Sequence, residues 1–242
     1  MALVKRQVTI GFYNDVTATS VSVTGSFALT TLPNSLLICA CSAVTYSLGS
    51  GGAVATINTP STPGITWIPL ATVFNPTLYS GEYTVTLSLF YAANSPSVSS
   101  AAITTVNATA PIVGGHTPDI ATGFWMAEIT GAALFNAVDS FLSNTGTNSI
   151  PSAGNIVNAN TDLLLVCELD FNGGSGSRGA SYNQFSSGGF QVVFGQDRTN
   201  LAPGTYSTSF GSSLSYPWAV IAAAFKTAPT GFPHAFGSLI GF

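Results

Sequence analysis

The chain predicts an all-β fold, an antiparallel β-sandwich of jelly-roll type with loop insertions, and two observations carry that reading. Segments rich in Val, Ile, Thr, Tyr and Phe run from end to end. Clusters of Gly, Pro, Asn and Ser punctuate them about every 8 to 15 residues, the pattern of a sandwich or barrel. Strands are expected over residues 7–13, 18–28, 35–46, 66–73, 83–91, 102–106, 124–130, 162–170, 190–194, 204–210 and 218–225.

The expected strands are of two kinds. Thr17-Ala18-Thr19-Ser20-Val21-Ser22-Val23-Thr24 and Tyr83-Thr84-Val85-Thr86-Leu87-Ser88-Leu89 alternate polar and apolar side chains. Side chains of a strand point alternately to its two faces, so these strands should have one wet and one buried face. Leu36-Leu37-Ile38-Cys39-Ala40-Cys41, Leu163-Leu164-Leu165-Val166-Cys167 and residues 218–225 are apolar throughout. Such strands need cover on both faces, from a second sheet on one side and from a neighbouring subunit on the other. Residues 131–142 place Leu134, Phe135, Val138, Phe141 and Leu142 at helical spacing, which leaves a short helix or a loop open there.

A weak internal repeat is visible. Asn34-Ser35-Leu36-Leu37-Ile38-Cys39 is echoed by Asp162-Leu163-Leu164-Leu165-Val166-Cys167, and Trp125-Met126-Ala127-Glu128-Ile129 by Trp218-Ala219-Val220-Ile221-Ala222. The echo describes two related halves of one sandwich. The domain reading is a single large β-sandwich over residues 1–230, followed by an apolar arm over residues 231–242.

Charge is scarce. Five basic and nine acidic residues in 242 give a net charge of −4, and Ser, Thr, Asn and Gly do the solvating. Net charge helps keep proteins monomeric, so a surface this neutral favours packing against copies of itself or a large partner. Lys5, Arg6, Arg178, Arg198 and Lys226 are scattered and form no basic stripe, which argues against nucleic acid. The longest apolar runs reach about half of the roughly 20 residues that span a bilayer, which argues against a membrane. The N-terminal residues lack the apolar run of roughly 7 to 15 that marks a secretory leader, so synthesis without a cleaved signal peptide is expected. Cys39, Cys41 and Cys167 suit small buried residues better than a disulfide framework. Cys39 and Cys41, two apart on one strand face, are expected to diverge rather than meet.

No residue is nominated as catalytic, cofactor-binding or metal-ligating, and no cofactor is expected. His116 with Asp119, and His234, lie in Gly/Pro loops with no nucleophilic serine placed beside them. Glu168 and Asp170 share a strand face, with Glu128 on another strand. Paired carboxylates are the minimum for glycoside hydrolysis, but pairing to Arg178 or Arg198 is the plainer reading. Residues 170–177 resemble a calcium loop without its closing glutamate and read as a glycine-rich turn. Trp67, beside Pro63, Gly64 and Pro69, is the candidate for stacking against a glycan. Phe232, Phe236, Leu239, Ile240 and Phe242, on a Gly-rich tail after the last strand, are the candidate subunit contacts; the alternative is that this tail folds back and seals the sandwich.

Leu36-Leu37-Ile38-Cys39, Ile65-Thr66-Trp67-Ile68-Pro69-Leu70, Trp125-Met126-Ala127-Glu128-Ile129-Thr130-Gly131, Gly204-Thr205-Tyr206-Ser207-Thr208-Ser209-Phe210 and the closing Pro217-Trp218-Ala219-Val220-Ile221-Ala222-Ala223-Ala224-Phe225-Lys226 carry a resemblance. Over residues 35–226 the chain resembles a loosely defined group of bacterial and bacteriophage jelly-roll or lectin-like β-sandwich surface and virion proteins. The resemblance implies a jelly-roll or lectin-like sandwich of extracellular or virion proteins and carries no catalytic residue across. The function expected is that of a non-enzymatic structural protein of a bacteriophage particle, a capsid-decoration or tail/fibre component partnered by copies of itself and other virion proteins. The alternative is a carbohydrate-binding module or adhesin partnered by glycans.

Overall fold

The computed structural model describes residues 2–47, 52–79, 82–170, 177–186, 193–211 and 216–229. Its strands are β1 (Val4–Thr17), β2 (Ser20–Gly25), β3 (Ser35–Tyr46), β4 (Thr56–Ile57), β5 (Ile68–Tyr79), β6 (Tyr83–Ser95), β7 (Thr104–Thr109) and β8 (Asp119–Thr130). They continue with β9 (Val138–Gly146), β10 (Asn155–Asn158), β11 (Asp162–Asp170), β12 (Asn183–Ser186), β13 (Phe194–Leu201), β14 (Gly204–Ser207) and β15 (Trp218–Lys226). Among the described residues there is no helix. The helical spacing at residues 131–142 dissolves into a turn followed by β9, because pairing with β15 sets Phe141 opposite Ala223 and Leu142 opposite Ala222. The strand expected at 190–194 meets β13 (Phe194–Leu201) only at Phe194, and residues 190–192 lie outside the described residues; the polar stretch Gly195-Gln196-Asp197-Arg198-Thr199-Asn200 gives no strand signal in the sequence.

Four sheets form, all antiparallel: β1-β8-β3-β6-β5, β12-β13-β11-β15-β9, the three-stranded β2-β7-β4 and the two-stranded β10-β14. The pairs β1·β8, β2·β7 and β3·β6 nest inside one another, as when one long hairpin is folded over on itself, and this nesting is the signature of a jelly roll. Residues 138–226 repeat it with β9·β15, β10·β14 and β11·β13. Read from β9, the second large sheet runs β9-β15-β11-β13-β12, matching β1-β8-β3-β6-β5 strand for strand, and only β4 has no counterpart.

The sheets stack in four layers, with the two five-stranded sheets innermost and face to face. Leu36, Ile38, Leu87, Leu89, Trp125 and Ile129 meet Leu163, Leu165, Cys167, Leu169, Ile221 and Phe225 in one shared core. The opposite face of the first large sheet, with Leu37, Cys39, Cys41, Phe124 and Met126, is covered by Val21, Val23, Ile57, Val106 and Ala108 of the small sheet. The opposite face of the second, with Leu164, Val166, Val220, Ala222 and Ala224, lies under Ile156 of the β10-β14 ribbon and under Phe210. The all-apolar strands are therefore covered on both faces from within the chain itself, where a neighbouring subunit was expected to supply one cover.

Polar joints tie the halves together around this core. The Leu3 N–H donates to Asn200 Oδ1 at 3.1 Å, Lys5 Nζ reaches Asp197 at 3.4 Å, and Asn75 Nδ2 donates to the carbonyls of Gly146 at 2.8 Å and Trp218 at 2.9 Å. Gly131, between the halves, has φ +82°, and a Cβ there would stand 2.2 Å from the Ala2 carbonyl oxygen. No other residue fits that approach.

Truncating Leu165, fully buried between the inner sheets, removes contacts that the rigid strands around it cannot replace. Leu165→Ala is expected to cost about 3 kcal/mol, read as a lowered midpoint in chemical unfolding.

Candidate functional site

Trp67 is 5% exposed, and its Nε1 donates to Thr62 Oγ1 at 2.9 Å. It belongs to the core beneath the small sheet, and its ring face is not presented to solvent. Phe232, Phe236, Leu239, Ile240 and Phe242 lie outside the described residues, as do His234 and most of the glycine-rich loop after Asp170. His116 is exposed in a tight turn closed by its N–H to the Val113 carbonyl at 3.0 Å, and Asp119 is bonded instead to the Thr17 hydroxyl.

The three acidic residues nominated from sequence separate into two environments. Glu128 on β8 is a structural node. Its Oε2 accepts from Arg6 Nη1 and from Gln7 Nε2 at 2.6 Å, and its Oε1 accepts from the Leu32 N–H at 2.6 Å and Ser35 Oγ at 2.9 Å. Burial pushes this carboxyl up, but the four donors outweigh it and hold it below the usual glutamate value. Glu168 on β11 is wholly buried and accepts no hydrogen bond. Burial, with the nearby Asp170 charge adding to it, raises its carboxyl well above the usual glutamate value. Asp170 is 1% exposed, so neither member of the pair reaches a solvent-filled cleft. Arg198, the suggested ion partner, stands over the rings of Tyr182 and Tyr206.

Cys39 and Cys41 point to one face of β3 with sulfurs 3.5 Å apart, and all three cysteines are buried free thiols. The expectation that the two side chains diverge is corrected: same-face neighbours on a pleated strand stand close enough for sulfur contact. Burial first, then Cys39, raises the Cys41 thiol, which keeps it unreactive.

The arrangement that sequence reasoning missed lies where β15 ends. Strand β9 carries an extra residue between Val138, opposite Phe225, and Ser140, opposite Ala224. That bulged residue is Asp139, and bulges re-aim side chains. Asp139 turns to the β10–β11 connection, where its Oδ2 accepts from the N–H groups of Ala159 at 2.6 Å and Asn160 at 3.2 Å, and its Oδ1 from Asn160 Nδ2 at 2.8 Å. Asp162, first residue of β11, is fully buried and receives no hydrogen bond. Burial pushes its carboxyl up to about 7; the neighbouring Asp139 adds to the shift by its charge, while Lys226 opposes it. Asp139 is held below its usual value, because the neighbouring Asp162 carboxyl and the three N–H bonds outweigh its own desolvation.

The last described residues, up to Pro229, follow directly on this pair. Lys226 stands opposite Asp162, the Thr227 N–H donates to the Thr161 carbonyl at 3.0 Å, and the Ala228 N–H donates to the Gly131 carbonyl at 2.7 Å. On the same Gly131 loop Phe135 is 77% exposed and Leu134 38%. No group of three or more His, Cys, Asp or Glu able to hold a metal occurs among the described residues. Comparison with family models, curated proteins and solved structures returns no match.

Two outcomes follow from this chemistry. The fold favours protonated Asp162, so between the unfolded value near 3.8 and the folded value of about 7 the native state holds the extra proton. Stability therefore falls as pH rises through that window. Asp162→Asn removes this titration, so its thermal midpoint should fall less steeply from pH 4 to pH 7 than that of the wild type; parallel profiles would refute the role of Asp162. Glu128→Ala leaves Arg6, Gln7, Ser35 and the Leu32 N–H without their acceptor, and about 3 kcal/mol should be lost at neutral pH in urea unfolding.

Proposed function

We propose that this chain is a non-enzymatic structural protein of a virus particle, most simply of a bacteriophage, acting as a capsid-decoration or tail/fibre component through subunit contacts. The observation that carries the reading is where the fold closes. Every strand and core residue among the described residues lies at or before Lys226, and the Gly131 loop to which Ala228 is bonded exposes Phe135 and Leu134. Phe232, Phe236, Leu239, Ile240 and Phe242 follow in sequence. An apolar segment that follows the last strand in sequence can serve in a groove or along a sheet edge of a neighbour.

The weakly charged surface supports the same reading. With 14 charged residues in 242, two copies meet little like-charge repulsion as they approach. Jelly rolls are recurrent building blocks of viral shells and also of lectins, so the fold agrees with the proposal by analogy alone. The partners are copies of the same chain and other virion proteins. The protein would be made in the host cytoplasm and carried in the virion.

Removing residues 231–242 should leave the β-sheet circular dichroism and the thermal midpoint within error of the full chain. It should lower the native mass seen by light scattering and abolish ordered assemblies in electron micrographs. A truncated chain that assembles as well as the full chain would refute the arm, and a full chain that is monomeric alone and fails to bind its particle would refute the structural role.

A further inference from the structure

Each open sheet must end somewhere, and an unpaired edge is a template for another chain unless something blunts it. Among the described residues seven of the eight outermost strands carry such a device. β1 has register shifts between Lys5 and Gln7 and between Thr9 and Phe12, together with the charges of Lys5 and Arg6. β5 has Pro69 and two shifts, and β9 has the bulge at Asp139. β12 is four residues long, is bulged, and has its Gln184 carbonyl capped by Lys5 Nζ at 3.2 Å. β4 is two residues long. On the ribbon, Ser140 Oγ caps the Val157 carbonyl of β10 at 2.8 Å, and Tyr182 Oη caps the Ser207 carbonyl of β14 at 2.6 Å.

β2 has none of these. Its six residues, Ser20-Val21-Ser22-Val23-Thr24-Gly25, pair with β7 from Ser20↔Thr109 to Gly25↔Thr104 without a shift. They include no proline and no charge, and no described group outside that ladder bonds their backbone. Ser20, Ser22 and Thr24 are exposed, whereas Val21 and Val23 face the core.

We infer that β2 is a self-association edge, pairing antiparallel with β2 of a second copy across a two-fold axis to make one continuous six-stranded sheet from two small ones. The occupant is a second copy because the edge is self-complementary. Two-fold pairing sets this strand against itself, and a strand of alternating hydroxyl and valine side chains matches itself only where faces agree. Opposed residues of an antiparallel pair share a face, so Ser22 must stand opposite Ser20, Ser22 or Thr24 of the other copy, and the valines then extend the apolar layer across the junction. With no charge on the strand, nothing repels this approach. The inference rests on the assembly reading above and names one of its contacts.

Introduced charges test it. In Ser22→Lys or Ser22→Glu, like charges fall opposite or diagonal to each other across the two-fold, where they destabilise the pair. Each variant alone should self-associate at least tenfold more weakly than the wild type in sedimentation velocity, with its thermal midpoint little changed because Ser22 is exposed and gives up only a surface hydrogen bond to Asn107. An equimolar mixture of the two should regain association, since opposite charges then face each other. A wild type that associates while both variants do so equally well, or a mixture that recovers nothing, overturns the edge pairing and leaves the assembly reading standing. A wild type that stays monomeric at every concentration and does not bind its particle overturns both.

Discussion

The contact between the two five-stranded sheets is the constraint on which the molecule depends. Each sheet gives one face to the other and the opposite face to a smaller layer of its own half, so its central strands never meet water. β3, β11 and β15 consequently have almost no position at which a polar side chain goes unpunished, and their backbones are satisfied by neighbours on both sides. Solvation is left to the small sheet, the ribbon and the loops. There Ser20, Ser22, Thr24 and their neighbours present hydroxyls, which can sit against either water or protein at modest cost.

The few charges that remain are spent on joints rather than on solubility. Arg6 and Glu128 fasten β1 and β3 to the segment after β2, Lys5 bridges from β1 to Asp197 of the other half, and Asp139 pins the β10–β11 connection. Arg198 lies across two tyrosine rings. A buried or half-buried ion is costly unless its donors and acceptors are supplied, and Glu128 is supplied with four. Glu168 and Asp162 are not, and burial raises the carboxyl of each above its usual value.

How much of this was legible in the sequence depends on whether a feature is local. β3 and β11 were readable to the residue, because a strand buried on both faces writes a continuous apolar run bounded by polar residues. β10, β12 and most of β13 were not, since their burial comes from one face of a short polar segment. The echo between Leu36-Leu37-Ile38-Cys39 and Leu164-Leu165-Val166-Cys167 picked out strands that are topologically equivalent, yet its residue alignment is off by one. Leu36 faces the shared core and Leu164 the outer one; Trp125 faces the shared core and Trp218 the outer one. A period of two makes such a slip invert every side chain. The site at the end of β15 was invisible because Asp139, Asp162 and Lys226 meet only through long-range pairing, and a bulge leaves no mark in composition.

The duplication has a consequence for synthesis. On the ribosome the first half can complete its own nested pairing as soon as Thr130 has emerged, since β8 closes against β1 and β3. At that moment the face bearing Leu36, Ile38, Leu87, Leu89 and Trp125 is formed but uncovered, and it stays so until β11 and β15 arrive. A nascent chain with a large bare apolar sheet is open to capture by the matching half of another chain translated nearby. Short joints such as the Gly131 turn, which brings β9 in directly after β8, shorten the interval during which that exchange competes with correct closure.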